Sequence, residues 1–101
     1  YYILISLRKF KDSNIQDIMI KIYTTNWCPY CISAKKLCKS LNIEYQEINI
    51  EEENISREDL LKTTGGYSVP QIIINDKCIG GYQELLSLHQ NNKLDSLLNE
   101  N

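Results

Sequence analysis

The sequence has no basic patch and no long apolar stretch, and each absence removes a class of function. Lysine and arginine number 11 against 13 aspartate and glutamate residues, which gives a net charge of −2. Because nucleic-acid binding needs clustered positive charge, nucleic acid is not an expected partner. The longest apolar runs, such as Ile72-Ile73-Ile74, suit strands and fall far short of a membrane span. We therefore expect a single domain with no membrane partner.

Histidine is also scarce, and the one histidine, His89, is poorly placed to complete a metal site. Zinc normally takes four ligands, often as two close pairs. Cys28 and Cys31 form one such pair, but Cys38 and Cys78 are scattered along the chain. No metal is therefore predicted. A zinc half-site stays a minor alternative, and so does a purely structural disulfide, because so short a loop constrains the unfolded chain little.

The most informative feature that is present is the tetrapeptide Cys28-Pro29-Tyr30-Cys31, which lies between an apolar run and a helical pattern. Pro29 suits the first position of a helix, and residues three apart on a helix are neighbours. Unpaired N–H groups and the helix dipole favour negative charge at such a start. The pattern predicts thiol–disulfide exchange, with Cys28 as an exposed thiolate nucleophile and Cys31 as its interior-facing resolving partner.

The amino-terminal segment does not share the periodic pattern of the rest. Its positive residues follow its apolar stretch, whereas a secretory signal has them first, and no small-residue cleavage site follows. Met19 would make a natural first residue for a strand. We therefore expect residues 1–18 to be a poorly ordered appendage, with an extra edge strand over residues 1–7 as the alternative.

From residue 19 onwards, strand and helix patterns alternate. Strands are predicted over residues 19–24, 43–50, 69–74 and 77–79, and helices over residues 29–41, 56–62, 82–90 and 93–98. The last two strands form a hairpin across Asn75-Asp76. This order describes an α/β architecture, the thioredoxin fold, with a four-stranded mixed sheet flanked by helices. Its first strand–helix–strand unit is a right-handed parallel crossover.

Three separated motifs make residues 19–98 resemble the glutaredoxin family. The first is the Cys28-Pro29-Tyr30-Cys31 dithiol. The second is Ser68-Val69-Pro70, where the family has Thr-Val-Pro with a cis proline. The third is Gly80-Gly81-Tyr82-Gln83-Glu84-Leu85, which is similar to the family's Gly-Gly-x-Asp-Asp/Glu-Leu. On this resemblance, residues 19–101 are the predicted glutaredoxin domain.

The resemblance implies a glutathione-dependent oxidoreductase that reduces protein disulfides and glutathione mixed disulfides through Cys28 and Cys31. Glutathione would be the co-substrate, and no metal would be needed. The partners would be disulfide-containing or glutathionylated proteins, of which ribonucleotide reductase is common in the family, and the protein would be a cytoplasmic monomer. The resemblance places glutathione on Thr25, Tyr30, Ser68, Val69, Pro70, Gly81, Tyr82 and Gln83.

Several positions depart from the family pattern. Thr25 and Gln83 stand where the family often has a lysine and an aspartate, and Gly66-Tyr67 stands where an arginine is common. Trp27 is more frequent in thioredoxins and mycoredoxin-like proteins. These departures keep two alternatives open: another low-molecular-weight thiol, or direct reduction by thioredoxin reductase. A third alternative, an iron–sulfur cluster carrier, is disfavoured because such relatives lack proline after the nucleophile.

The remaining reactive side chains have ordinary explanations. Cys38 falls on the apolar face of the first predicted helix and is expected to be buried as a small hydrophobe. Cys78 lies in the last predicted strand and is expected to be partly exposed, with nothing nearby to activate it. The run Glu51-Glu52-Glu53 is interpreted as a solvated charge run.

Overall fold

The structure, a computed structural model, describes residues 20–98 and reproduces the predicted order of elements. The strands are β1 (Ile20–Thr24), β2 (Tyr45–Asn49), β3 (Gln71–Ile74) and β4 (Lys77–Gly80). The helices are α1 (Pro29–Ser40), α2 (Arg57–Thr64), α3 (Tyr82–Gln90) and α4 (Leu94–Leu98). The predicted appendage over residues 1–18 lies outside the described residues and stays a prediction.

The four strands form one mixed sheet, as predicted, and their order across the sheet is β2-β1-β3-β4. β1 and β2 are parallel, with Ile20 opposite Tyr45 and Thr24 opposite Asn49, and α1 connects them. β1 pairs antiparallel with β3, and β3 pairs antiparallel with β4. Parallel pairing brings the carboxyl ends of β1 and β2 to the same edge of the sheet. The chain leaves β1 at that edge and enters the Cys-x-x-Cys motif.

The main core lies between the sheet and three of the helices. Its buried members are Ile20, Ile22, Ala34, Cys38, Ile72, Ile74, Leu85 and Leu94. Leu60 of α2 and Ile50 are buried outside this cluster. Cys38 is confirmed as a small buried hydrophobe, and burial raises the pKa of its thiol to about 11. It is therefore not a nucleophile at neutral pH.

The ends of the elements follow the local chemistry of the chain. Ser56 caps α2 by accepting the N–H of Asp59 over 3.0 Å, a contact of about 1 kcal/mol. Gly65 ends this helix in the left-handed region, with φ +87°. β3 begins two residues later than predicted, at Gln71, because Pro70 has no N–H to donate to a ladder.

Candidate active site

Cys28 and Cys31 are joined by a disulfide at the start of α1. Cys28 is the capping residue of this helix, and Pro29 occupies its first position, as predicted. The Sγ atom of Cys28 accepts the backbone N–H of Cys31 over 3.0 Å. A donor aimed at this sulfur stabilises the negative charge that the sulfur carries in the reduced protein. The geometry therefore favours Cys28 as the attacking thiolate.

The expectation that Cys28 is exposed is wrong. Only 7% of Cys28 is accessible to solvent, because its side chain turns back to cap the helix, and Cys31 is 1% accessible. The neighbours of Cys28 are far more open, with Trp27 79% and Tyr30 60% accessible. Cys28 is still the more accessible of the two residues, and its role as the nucleophile stays a prediction. A substrate disulfide that reaches it must pass Trp27 or Tyr30.

A groove of about 360 Å³ opens beside the motif. It is lined by Tyr30, Ser68, Val69, Pro70, Gly81, Tyr82, Gln83 and Glu84. Every residue that the resemblance assigned to glutathione lines this groove, except Thr25. The fold thus brings together three motifs that are far apart in the sequence.

Thr25 has a different place. Its hydroxyl donates to the carbonyl oxygen of Trp27 over 3.1 Å, so it closes the turn that leads to Cys28. No contact in the structure brings its side chain to the groove. Its proposed contact with glutathione stays a prediction.

One wall of the groove is built on the Val69–Pro70 peptide bond, which is cis, as the resemblance implies. On another side the rings of Tyr30 and Tyr82 stack, with centroids 6.3 Å apart and planes inclined by 26°. This pair joins the first helix to the start of α3 and gives the groove an aromatic side. Offset aromatic pairs of this kind contribute about 0.5–1.5 kcal/mol beyond the area that they bury.

Glu84 is a groove residue that belongs to the third motif of the sequence but was not among the residues expected to bind glutathione. Its Oε1 atom accepts the N–H of Gly81, the capping residue of α3, over 2.9 Å. The N–H of Gly81 is therefore occupied and is not available to an anionic ligand. The N–H groups of Tyr82 and Gln83, in the first turn, have no carbonyl partner within the helix. Glu84 is also the one formally charged residue of the groove lining.

The loop before Pro70 is held by two side chains that were not among the predicted site residues. The guanidinium of Arg57 donates to the carbonyl oxygen of Tyr67 over 2.7 Å. The amide of Gln71, a buried side chain, donates to the carbonyl oxygen of Ser68 over 3.0 Å and to its hydroxyl over 3.3 Å. A polar residue at the first position of an apolar strand was the available clue to Gln71. These contacts fix the edge of the groove.

Residues 51–53 are exposed, as the interpretation of a solvated charge run expects, but one of them also makes a contact that was not predicted. The Oε1 atom of Glu51 accepts the backbone N–H of Asn26 over 2.8 Å. This contact spans the sheet edge between the end of β2 and the loop that precedes Cys28. It was missed because the two residues are 25 positions apart in the sequence.

Away from the groove, three features of the described part of the chain bear on function: a further thiol, the capacity for a metal site and the length of the helices. Cys78 is exposed, beyond the partial exposure expected of it, and its thiol lies 3.7 Å from the carbonyl oxygen of Thr63. Over residues 20–98, no group of three or more His, Cys, Asp or Glu side chains could hold a metal ion. None of the helices described is long and apolar enough to cross a membrane.

Comparison with known proteins agrees with this geometry. The family model described as Glutaredoxin matches residues 20–79. A glutaredoxin of Pseudomonas aeruginosa is 42% identical over 79 residues, which are 78% of this chain and 94% of that protein. Glutaredoxin 3 of Escherichia coli K12 is 40% identical over 79 residues, covering 78% and 95% of the two chains.

Solved structures give the same answer. The crystal structure of a buckwheat glutaredoxin–glutathione complex matches with a TM-score of 0.71 and 31% identity, over 78% of this chain and 74% of that one. The solution structure of reduced Escherichia coli glutaredoxin matches with a TM-score of 0.63 and 34% identity, over 72% and 94%. With its paired cysteines at the start of α1, this chain belongs to the glutaredoxin family of thiol–disulfide oxidoreductases.

Proposed function

We propose that this protein reduces glutathione mixed disulfides and protein disulfides, with glutathione as the reducing co-substrate. The observation that carries the proposal is the groove, because it opens beside Tyr30 and unites the three motifs of the sequence. The relative from buckwheat, whose structure is a complex with glutathione, supports the same ligand. A plentiful supply of reduced glutathione makes the cytoplasm the proposed compartment.

Glutathione is a flexible tripeptide with two carboxylates and one amine, and the groove offers a partner for each kind of group. The backbone of Val69 can pair with its cysteine in the manner of an added strand. The first-turn N–H groups of α3, on Tyr82 and Gln83, can receive a carboxylate. The carboxylate of Glu84 can receive the amine. The aromatic pair of Tyr30 and Tyr82 would flank the ligand beside the reacting sulfurs.

The reaction with a glutathione mixed disulfide needs Cys28 alone. Its thiolate attacks the sulfur of glutathione, the bond between the two substrate sulfurs breaks, and the other thiol leaves as a thiolate. A second glutathione thiolate then attacks the glutathione sulfur held on Cys28. This step releases glutathione disulfide and restores the Cys28 thiolate.

The reaction with a protein disulfide needs both cysteines. Cys28 attacks one sulfur of the disulfide, and the other sulfur leaves as a thiolate. Cys31, whose Cα lies 5.1 Å from that of Cys28, then attacks the Cys28 sulfur and displaces the substrate. The product is the Cys28–Cys31 disulfide, which two glutathione molecules reduce. Ribonucleotide reductase as a substrate, and the monomeric state, stay predictions.

A second candidate is reduction by thioredoxin reductase, or by a different small thiol. It is favoured by the charge of the groove, whose lining among residues 20–98 has one carboxylate and no cation. The carboxylates of glutathione would therefore rely on neutral donors, such as backbone N–H groups and side-chain hydroxyls. The exposed ring of Trp27 could contact a protein reductase as readily as a small thiol.

The deciding experiment is a coupled turnover assay. The purified protein is mixed with a glutathione mixed disulfide of a small thiol, glutathione, glutathione reductase and NADPH, and NADPH consumption is followed, with Cys28→Ser as the control. We expect turnover that the control lacks. An inert wild-type protein in this assay that turns over with thioredoxin reductase and a protein disulfide would replace the proposal by the second candidate.

A further inference from the structure

The parallel pairing of β1 and β2 places the loop before Cys28 against the residues that follow β2. Thr24 and Asn49 are partners at the last step of the ladder, and the N–H of Ile50 extends it by donating to the carbonyl oxygen of Thr24 over 2.8 Å. From this point the two chains separate. One continues through Asn26 to the nucleophile, and the other turns through Glu51 towards α2.

Two side chains connect the separating segments, and both form hydrogen bonds with Asn26. The carboxylate of Glu51 accepts the backbone N–H of Asn26 over 2.8 Å. The side-chain amide of Asn49 donates to the Asn26 side-chain oxygen over 2.9 Å. We call these two contacts the Asn26 anchor.

The orientation of the Asn49 amide is fixed by its other contacts. Its oxygen accepts the backbone N–H groups of Glu51 over 3.0 Å and Glu52 over 3.2 Å. Because the oxygen is turned to these two donors, the NH₂ group must face Asn26. The Asn26 anchor is thus a connected network, and Asn49 holds the turn that presents Glu51.

We propose that Asn49 and Glu51 are positioning residues for the nucleophile, acting through Asn26 to hold the loop that delivers Cys28. This inference rests on Cys28 being the attacking thiol in the proposed function. Only Trp27 separates Asn26 from Cys28, and its side chain is 79% accessible to solvent, so it does not hold the loop. The hydrogen bond from Thr25 to the carbonyl of Trp27 lies within the loop and cannot place it against the sheet.

The consequence for chemistry follows from the position of Asn26, which precedes Cys28 by two residues in the chain. The Cys28 sulfur receives the N–H of Cys31 over 3.0 Å, and a displaced loop would lengthen or misalign this contact. The thiolate would then lose a donor, and the sulfur would be presented less often in the attacking geometry. Misplacement of a reacting group by about 1 Å can lower rates by up to about a hundredfold.

Glu51 also brings a negative charge to the loop, and this charge acts in the opposite direction. A carboxylate disfavours a nearby thiolate, so removing the charge alone would make the thiolate easier to form. The two effects can be separated by substitution. Glu51→Gln keeps an acceptor oxygen and removes the charge, whereas Glu51→Ala removes both. Glu53→Ala is the matched control, because it deletes the same charge from an exposed side chain of the same turn, whose carboxylate has no hydrogen bond or ion pair within residues 20–98.

The experiment measures the alkylation of Cys28 by iodoacetamide in the reduced protein as a function of pH, followed by mass spectrometry of the Cys28 peptide. Turnover constants are measured beside it. For Glu51→Ala we expect the alkylation rate and kcat to fall together, by roughly three- to tenfold, the scale of one lost hydrogen bond. The KM for the glutathione mixed disulfide should stay unchanged, because the anchor does not line the groove. For Glu51→Gln and Glu53→Ala, the alkylation rate and kcat should stay within about twofold of the wild-type values.

Three results would overturn the proposal: equal behaviour of Glu51→Ala and Glu53→Ala, a loss in Glu51→Gln as large as in Glu51→Ala, or faster alkylation in Glu51→Ala. If Glu51→Ala does not fold, Asn26→Ala replaces it, since this exposed loop residue loses only the bond to Asn49. Unchanged alkylation in Asn26→Ala would then count against the proposal. A wild-type protein that alkylates normally but does not use glutathione would contradict the proposed function and leave this comparison valid.

Discussion

The backbone N–H of Cys31 points at the sulfur of Cys28, and the 3.0 Å between them makes the two cysteines chemically unequal. Cys28 receives a donor at the start of a helix, where the dipole also favours an anion. The Cys31 side chain lies behind it, almost fully buried. We therefore expect Cys28 to attack and Cys31 to resolve.

This inequality predicts different outcomes for the two serine variants. Cys31→Ser should retain turnover of a glutathione mixed disulfide, because that reaction uses Cys28 alone, and should lose reduction of protein disulfides. Cys28→Ser should lose both activities. The coupled NADPH assay with each substrate provides the measurement. Activity of Cys28→Ser on either substrate would remove Cys28 from its role as nucleophile.

A second prediction concerns Trp27, which is open to solvent but does not line the groove. We expect a protein disulfide that reaches the recessed Cys28 to contact this exposed ring, whereas a small glutathione conjugate can lie in the groove. Trp27→Ala should lower kcat/KM for a protein disulfide by roughly tenfold, the scale of a buried aromatic contact at an interface. The glutathione mixed disulfide is the internal control. Equal losses on both substrates would show that Trp27 supports the loop and not the docking of proteins.

Much of this architecture could be predicted from the sequence. The contacts that could not be predicted depend on where a side chain points and on which backbone group it reaches. The strands and helices follow from periodic apolar residues, and the hairpin from Asn75 and Asp76, which take the positive φ values that a two-residue turn requires. The hydrogen bond from the Asn26 backbone N–H to Glu51 joins residues 25 positions apart, and it depends on how the sheet aligns two loops, which no local pattern encodes. The hydrogen bond from Gln71 to Ser68 joins residues only three positions apart, but it depends on the direction of the Gln71 side chain, which the residue types alone do not fix.

The error on Cys28 also concerns the direction of a side chain. Its place at the helix start was predictable from Pro29, and the favoured charge followed from it. Its low exposure depends on the direction of the side chain, which turns inward to the N–H of Cys31. A helix start is an exposed place on average, but a capping side chain points back into the helix.

A third prediction tests the edge of the groove through Gly66. A Cβ atom at this position would lie 2.5 Å from Nε2 of Gln71, so the amide would have to leave its place. Gly66→Ala should therefore break the contacts from Gln71 to Ser68 and loosen the segment that leads to Val69. We expect the KM for the glutathione mixed disulfide to rise by roughly three- to tenfold, on the scale of one or two lost hydrogen bonds. The rate of Cys28 alkylation should not change.

The control for Gly66→Ala is the single variant Gln71→Ala, together with the double variant. Gln71→Ala removes the same contacts without a collision, so it should raise KM to a similar extent. The double variant should be no worse than either single one, because the new methyl group then finds empty space. Additive losses in the double variant would mean that Gly66 matters for its backbone and not for the room that it leaves to Gln71.

The last prediction concerns stability at low pH and rests on Glu47. Its carboxylate accepts the Thr24 hydroxyl over 2.7 Å and the Lys35 ammonium over 3.0 Å. Burial opposes ionisation of this carboxyl, but these hydrogen bonds and the nearby lysine charges outweigh it and lower its pKa below the ordinary 4.5.

A carboxyl whose pKa is lower in the folded state stabilises the protein above its unfolded pKa, and the contribution is lost as pH falls through the folded value. Glu47→Gln should therefore be less stable than wild type at neutral pH and converge with it as pH falls below 4.5. We expect a difference of under about 1 kcal/mol, because both partners are partly exposed. Melting temperatures from pH 7 down to about pH 3 measure it, with the exposed Glu44→Gln as the charge-matched control. If the melting temperature of Glu47→Gln differs from that of wild type by the same amount at every pH, Glu47 is excluded as a source of acid sensitivity.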